Sequence, residues 1–149
     1  MEKTKLFLDP ISNGKAILLE EYVYDINGYL IRVPKSFITD GVSVPHSLQW
    51  LYNPYDKYIK AAVVHDYLYS CYNNTGINRT LADKIFRHIM KETGVDSRTT
   101  RRFYNAVKYF GETSWKTKLQ NEGYKDRAIV DRTKEAKEYY SYWDKVLGL

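Results

Sequence analysis

The stretch from Ala61 to Tyr69 places an adjacent histidine and aspartate, His65 and Asp66, within an otherwise apolar and aromatic sequence. Its composition predicts a helix from about residue 57 to 72, with Asp56 as the N-cap. At helical spacing, one face holds Tyr58, Ala61, Ala62, His65, Leu68, Tyr69 and Tyr72. We therefore expect His65 to point into the protein. Because burying an unpaired titratable group costs several kcal/mol, a partner must meet it there.

The N-terminal third predicts a small antiparallel sheet. Residues 5–8 predict a short strand, and residues 16–24 and 29–33 form two apolar runs on either side of Asn27-Gly28. Asn-Gly between apolar runs is the strongest short-range hairpin signal, because both residues tolerate positive φ. Residues 37–39 add a further short strand after the hairpin, and residues 40–56 are interpreted as a loop with one helical turn.

Two further helices follow the central one. The first is expected to begin with a capping-box-like pair, Thr80 and Asp83, and to end at the glycine stop Thr93-Gly94. Its amphipathic spacing predicts that it buries Ala82, Ile85, Phe86, Ile89 and Met90. The second is expected to begin at Asp96 or Ser97 and to end at Phe110, before Gly111. It should bury Phe103, Ala106, Val107 and Phe110.

These elements predict an α+β protein, with a small N-terminal antiparallel sheet followed by a bundle of three to four helices. A chain of 149 residues is most simply one domain. We place that domain at residues 1–116. Residues 117–127 are interpreted as a polar linker, and residues 128–147 as an amphipathic helix. That helix could pack on the same domain, which we favour, or bind a partner. The sequence does not indicate an oligomeric state.

Charge and composition narrow the class of partner only coarsely. The net charge of +5 favours anionic partners such as phospholipid, nucleic acid or an acidic host protein. Apart from Arg98, Arg101 and Arg102, the basic residues are spread over the chain. A dispersed excess is more typical of a solubility feature than of a nucleic-acid footprint, so nucleic acid is less favoured than the other two. Fifteen tyrosines could form a tyrosine-rich core or an interaction surface. The single cysteine, Cys71, excludes an internal disulfide, and no apolar run predicts a signal peptide or membrane span.

The chemistry available to His65 depends on which carboxylate side chain forms a hydrogen bond with its imidazole ring. Asp66 is adjacent in sequence and points about 100° away, so it is not the partner on the same face. Asp83 reaches His65 if the connection between the two helices folds back, and Asp40 in the preceding loop is an alternative. A histidine oriented by a carboxylate can act as a general base near neutral pH. A histidine tied to the backbone of a helical core would instead be structural.

Carboxylates near His65 could also hold a metal ion. Asp66 and Asp40, with carbonyl oxygens around Gly41, suit a hard cation such as calcium, which would polarise an ester carbonyl. Zinc held by Asp40, His65, Asp66 and Asp83 is less favoured, because a second well-placed histidine or a cysteine pair is missing.

Two other groups of polar residues are candidate sites. Thr39 and Ser43 are further polar candidates of the loop region. Ser43 lacks the Gly-x-Ser-x-Gly elbow of a nucleophile and is more simply a turn cap. Arg98, Arg101 and Arg102 could bind phosphate or could simply begin a solvated helix.

Four ordered motifs resemble an uncharacterised family encoded by tailed bacteriophages and prophages. The resemblance covers roughly residues 15–116. The motifs are Phe37-x-Thr39-Asp40-x-x-Ser43-x-Pro45, Ala61-Ala62-x-x-His65-Asp66-Tyr67-Leu68-Tyr69, Ala82-Asp83-x-x-Phe86 and Tyr104-x-Ala106-Val107-x-x-Phe110-Gly111 with Trp115. This resemblance implies residence in the host bacterial cytoplasm or in the virion.

A shorter stretch, His65-Asp66-x-x-Tyr69 followed by Ala82-Asp83, is similar to the catalytic helices of A2-class phospholipases. The disulfide-free viral-capsid type is the nearest kind. The resemblance implies that His65 is the general base, that Asp66 is a calcium ligand, and that Tyr69 and Asp83 support the histidine. Residues 40–43 would then replace the glycine-rich calcium loop of that class.

Two functions remain as hypotheses. The first is a phage-encoded, phospholipase-like hydrolase in which His65 activates water and a carboxylate-bound cation assists. The second is a non-enzymatic virion component or host-interaction (inhibitor) protein, whose His-Asp motif is structural and whose tyrosine-rich surface binds the partner.

Overall fold

The computed structural model describes residues 1–11, 15–39, 57–70, 72–121 and 142–148, with side chains in the third helix as far as Trp115. Antiparallel strands come first and helices follow, so the predicted α+β arrangement is confirmed. The predictions for the 40–56 loop, for Asp56 and for Cys71 fall outside these residues. No helix in the described ranges is long and apolar enough to cross a membrane.

Five short strands form two antiparallel sheets. They are β1 (Leu8–Pro10), β2 (Ala16–Leu18), β3 (Tyr22–Ile26), β4 (Tyr29–Val33) and β5 (Ile38–Thr39). One sheet has the order β1-β2-β5 and the other pairs β3 with β4. The predicted strand at 5–8 is displaced to Leu8–Pro10. The predicted strand at 16–24 is divided between the sheets, because the chain bends at Leu19 and Glu20.

The predicted hairpin turn at Asn27-Gly28 is confirmed, although the first strand of the hairpin is Tyr22–Ile26 rather than residues 16–24. Asn27 (φ 49°) and Gly28 (φ 94°) form the turn, and the Gly28 amide donates to Asp25 Oδ1 at 2.6 Å. In this register Ile26 lies opposite Tyr29. The buried face of the hairpin consists of alternate residues, Tyr22, Tyr24 and Ile26 on β3 with Ile31 and Val33 on β4.

Helix α1 (Ile59–Tyr69) is the centre of the core, and every residue from Ala61 to Tyr69 is buried. It packs against β4 and β5 on one side and against the later helices on the other. The prediction of a single inward face was therefore too narrow, since a helix that is apolar all round is a buried one. The helix begins after its N-cap Tyr58, about two residues later than predicted. It also ends before Tyr72, which is 68% exposed.

Helix α2 (Arg79–Glu92) buries the five residues that its amphipathic spacing predicted, and Gly94 follows its end with φ 81°. The predicted capping box was wrong. Asn78 is the N-cap, and its side chain accepts a hydrogen bond from the Leu81 amide at 3.0 Å. Asp83 lies one turn inside the helix, where its carboxylate is buried and engaged by other side chains.

Helix α3 (Ser97–Asn121) begins where the sequence predicted, with Asp96 Oδ1 accepting from the Thr99 amide at 2.9 Å. The predicted end at Gly111 was wrong, because the helix continues through this glycine into the segment interpreted as a linker. Phe110 was also expected to be buried but is 65% exposed. The predicted burial of Phe103, Ala106 and Val107 is confirmed, and Trp115 is buried as well.

The C-terminal helical segment, residues 142–147, is the described part of the last predicted helix. Trp143 and Leu147 belong to the core cluster, and the Trp143 ring contacts Tyr29 with a centroid distance of 4.5 Å. Asn27 Nδ2 donates to the Val146 carbonyl. These contacts attach the segment to the turn of the β3–β4 hairpin.

The position of the α2 cap can be tested with two single substitutions. Asn78→Ala removes a side-chain acceptor at the N-cap and should lower the free energy of unfolding by about 1 kcal/mol. Thr80→Ala alters the residue that the sequence alone suggested as the cap. It should change the free energy of unfolding by less than about 0.5 kcal/mol. Urea unfolding of both variants measures the difference, and equal losses would contradict the assignment of Asn78.

Candidate functional site

The hairpin of α1 and α2 brings His65 and Asp83 together. His65 lies one turn before the last residue of α1, and Asp83 lies one turn after the first residue of α2. The connection between the helices is therefore folded so that the two residues face each other. Asn73 holds this connection, since its Nδ2 donates to the carbonyls of Leu68 at 2.7 Å and Ile77 at 3.2 Å.

One oxygen of Asp83 is shared by two partners. His65 Nε2 lies 2.8 Å from Asp83 Oδ1, and the Tyr69 hydroxyl donates to the same oxygen at 2.6 Å. His65, Tyr69 and Asp83 are 4%, 4% and 3% exposed. Asp83, rather than the backbone, is thus the partner that His65 requires. The structure brings together the three residues that the sequence proposed as a catalytic group.

Tyr69 remains a hydrogen-bond donor in this arrangement. Burial raises the pKa of its phenol, and the neighbouring Asp83 carboxylate raises the pKa further. The positive charge of Arg79 acts in the opposite direction without cancelling these effects. Because the phenol keeps its proton throughout the ordinary pH range, it can hold the Asp83 carboxylate in place.

Aromatic rings surround the imidazole. The centroid of the His65 ring lies 4.1 Å from that of Tyr69 and 4.9 Å from that of Phe86. Trp115 packs edge-on against Tyr69 at 5.1 Å. These apolar surfaces lower the local dielectric constant, which strengthens the hydrogen bonds to Asp83.

Two residues that sequence reasoning missed also shape the site. A Cβ at Gly111 would lie 2.7 Å from the Tyr69 hydroxyl, so the glycine provides the space that the phenol occupies. Arg79 donates through Nη2 to the carbonyls of Val107 and Lys108, and thereby joins the start of α2 to α3. Gly111 was interpreted as a helix stop, and nothing in the sequence pattern indicated its proximity to Tyr69.

Asp66 projects to a different side of α1. Its Oδ2 accepts a hydrogen bond from the Thr39 hydroxyl at 2.5 Å, and both residues are buried. The predicted metal ligands Asp40 and Gly41, together with Ser43, lie outside the described residues. Within the ranges that the structure describes, no group of three or more His, Cys, Asp or Glu side chains is placed to hold a metal ion.

The remaining candidates lie away from the His65–Asp83 pair. Arg98, Arg101 and Arg102 are exposed on the first turns of α3. Outside the candidate residues, His88 is half-buried on α2, and its Nε2 lies 3.9 Å from Glu92 Oε2. Burial lowers the pKa of His88, and the opposing effect of Glu92 does not restore it.

Comparison with known proteins finds one family. A protein-family model described as "Protein of unknown function (DUF1353)" matches residues 16–107, which is more than half of the chain. The matched segment contains His65, Tyr69 and Asp83, whereas Gly111 and Trp115 follow it. No curated protein and no solved structure matches the chain.

The space at Gly111 can be tested by a double-mutant cycle. Alanine is normally favoured over glycine within a helix by about 1 kcal/mol. Here we expect Gly111→Ala to lower the free energy of unfolding by about 1–3 kcal/mol, because its methyl group displaces the Tyr69 hydroxyl. In a Tyr69→Phe background the same change should cost less, since the hydroxyl is gone. Chemical denaturation of the four proteins gives the coupling, and additive effects would contradict the steric account.

The lowered pKa of His88 predicts a specific pH dependence of stability. The unfolded chain binds a proton at this residue more readily than the folded chain, so protonation favours unfolding. Stability should therefore fall as the pH drops below about 6.5, the ordinary histidine value. In His88→Gln, the loss of unfolding free energy between pH 7.5 and pH 5.5 should be smaller than in the wild type. Identical losses in the two proteins would show that His88 does not contribute.

Proposed function

The chain belongs to the DUF1353 family, and we propose that it is a phage-encoded hydrolase that cleaves an ester with water. In this proposal His65 is the general base, and Asp83 and Tyr69 orient it. The observation that carries the proposal is the Asp83 oxygen that accepts from both His65 Nε2, at 2.8 Å, and the Tyr69 hydroxyl, at 2.6 Å. A base that is itself held by a third group is the arrangement that proton-abstracting sites share.

The hydrogen bond to Asp83 determines which ring nitrogen acts as the base. A carboxylate accepts hydrogen bonds, so the proton of neutral His65 belongs on Nε2 and the lone pair belongs on Nδ1. Nδ1 would take the proton from the attacking water and would return it to the departing alkoxide oxygen when the acyl C–O bond breaks, which releases an alcohol and a carboxylic acid. Asp83 would then stabilise the imidazolium that forms, as a carboxylate next to a charged histidine does. Tyr69 keeps Asp83 aligned throughout, because its raised pKa leaves the phenol protonated.

A cation is the second part of the proposal. Asp66 and Thr39 supply a carboxylate and a hydroxyl within 2.5 Å of each other, and hard cations such as calcium prefer oxygen ligands. Asp40 and Gly41 follow Thr39 directly in the sequence and are proposed as the further ligands. When bound, calcium would polarise the ester carbonyl and stabilise the oxyanion. Zinc suits this oxygen-rich set less well. We propose phospholipid as the substrate class.

The burial of the pair favours a second candidate function. His65 is 4% and Asp83 3% exposed, so catalysis requires the protein to open around them. If it does not open, the hydrogen bonds only stabilise the core. The protein would then be a non-enzymatic virion component or host-interaction protein that binds through exposed tyrosines. Tyr72, Tyr109 and Tyr142 are 68%, 71% and 54% exposed. Either function would be exercised in the host bacterial cytoplasm or in the virion.

Calcium titration and a lipid hydrolysis assay together distinguish the two candidates. In the wild type, calcium at 100 times its Kd should raise the free energy of unfolding by about 2.7 kcal/mol, seen as a rise in Tm. Asp66→Asn should lose this rise. His65→Gln keeps an amide donor for Asp83, so it should fold and retain the rise while losing hydrolysis of phospholipid vesicles. Asp9→Asn removes an exposed carboxylate elsewhere and serves as the matched control.

Two negative results together would contradict the hydrolase proposal. A wild type whose Tm does not respond to calcium, and which releases no fatty acid from vesicles, would leave the non-enzymatic candidate. Zinc titrations of the same four proteins would show whether a different cation takes the place of calcium.

A further inference from the structure

The first part of α3 concentrates positive charge. Residues 97–111 contain four basic residues, Arg98, Arg101, Arg102 and Lys108, and no aspartate or glutamate. The whole chain carries a net charge of +5, so this one segment accounts for most of the excess.

The basic residues of α3 share its outward face with an exposed tyrosine. Tyr109 is 71% exposed and lies two helical turns after Arg102, directly in line with it. We call this surface the basic stripe. It consists of Arg98, Arg101, Arg102, Asn105, Lys108 and Tyr109, all of them exposed. At 1.5 Å per residue, the stripe extends for about 16 Å along the helix.

The charges of the basic stripe are available to a partner. Among the described residues, none of its four cations forms an ion pair with a carboxylate of the protein. Lys108 Nζ instead lies 6.0 Å from the centroid of the Tyr109 ring. A row of unneutralised guanidinium and ammonium groups creates a positive field that attracts a polyanion.

We propose that the basic stripe binds single-stranded nucleic acid. Its arginines and its lysine would contact the phosphates, Asn105 would offer an amide to the sugar or base, and Tyr109 would stack on a base. This interaction does not depend on the proposed hydrolase, because none of its residues belongs to the His65–Asp83 pair or contacts Asp66.

The geometry favours nucleic acid over an anionic membrane. A helix that lies on a membrane inserts an apolar face, but the apolar face of α3 packs into the core through Phe103 and Val107. The exposed Phe110 is rotated by about 100° from Tyr109, so it does not lie in the stripe. What the stripe presents is one aromatic ring among polar donors, which suits a phosphate backbone with stacked bases.

Binding can be measured by fluorescence anisotropy with a labelled 20-nucleotide oligothymidylate and the full chain. Four phosphate contacts predict that log K falls with log salt concentration with a slope of about −2.8. Arg101→Ala/Arg102→Ala should weaken binding and bring the slope to about −1.4. Tyr109→Ala should weaken binding roughly five-fold or more, whereas Tyr109→Phe, which keeps the ring, should bind like the wild type.

A matched control distinguishes the effect of the basic stripe on binding from the effect of the protein's overall net charge. Lys5→Ala/Lys35→Ala removes the same two charges from exposed sites outside α3 and should leave the affinity nearly unchanged. The proposal is overturned if this control weakens binding as much as the arginine pair does. It is also overturned if the wild type does not bind the oligonucleotide at low salt. Binding to phosphatidylglycerol vesicles without binding to the oligonucleotide would identify a membrane surface instead.

Discussion

The structure depends on one buried carboxylate with two donors. Asp83 sits on α2, and the groups that satisfy it, the His65 imidazole and the Tyr69 phenol, both come from α1. An unsatisfied polar group in this core would cost several kcal/mol, so the two helices can pack only in the register that keeps these hydrogen bonds. Apolar residues of similar volume often match a buried polar cluster in stability. Stability alone therefore does not account for the choice of these three side chains.

A central helix that is buried all round also dictates the architecture. Each side of α1 needs a cover, and the chain supplies it with β4 and β5 on one side and α2 and α3 on the other. The abundant tyrosines suit this arrangement, because each can bury its ring and place its hydroxyl near a polar group at the margin of the core. Tyr24 reaches Glu92 at 2.6 Å and Tyr67 reaches Asn74 at 3.1 Å.

Features set by local physics could be predicted from the sequence, and those set by distant packing could not. The Asn27-Gly28 hairpin and the buried face of α2 follow from backbone preference and helical spacing. The helix pattern also suggested Asp83 as a partner for His65, but the end of α1 was placed too late. That end is fixed by Asn73, which binds the Leu68 carbonyl across the connection. The sequence predicts a helix end at Gly111 because a glycine commonly ends a helix. Its actual role, to make room for Tyr69, exists only once α3 packs on α1.

Helix α3 combines two constraints on opposite faces. Gly111 lies two residues beyond Tyr109, about 200° further round the helix, so one face touches the His65–Asp83 cluster and the other carries the basic stripe. The inner face has little room for a side chain at Gly111, whereas the proposed role of the outer face depends on charge rather than on side-chain volume. Substitutions on faces that share no contacts have nearly additive effects. The proposed chemistry around His65 and the proposed binding of a polyanion by α3 should therefore be separable by mutation, although both involve the same helix.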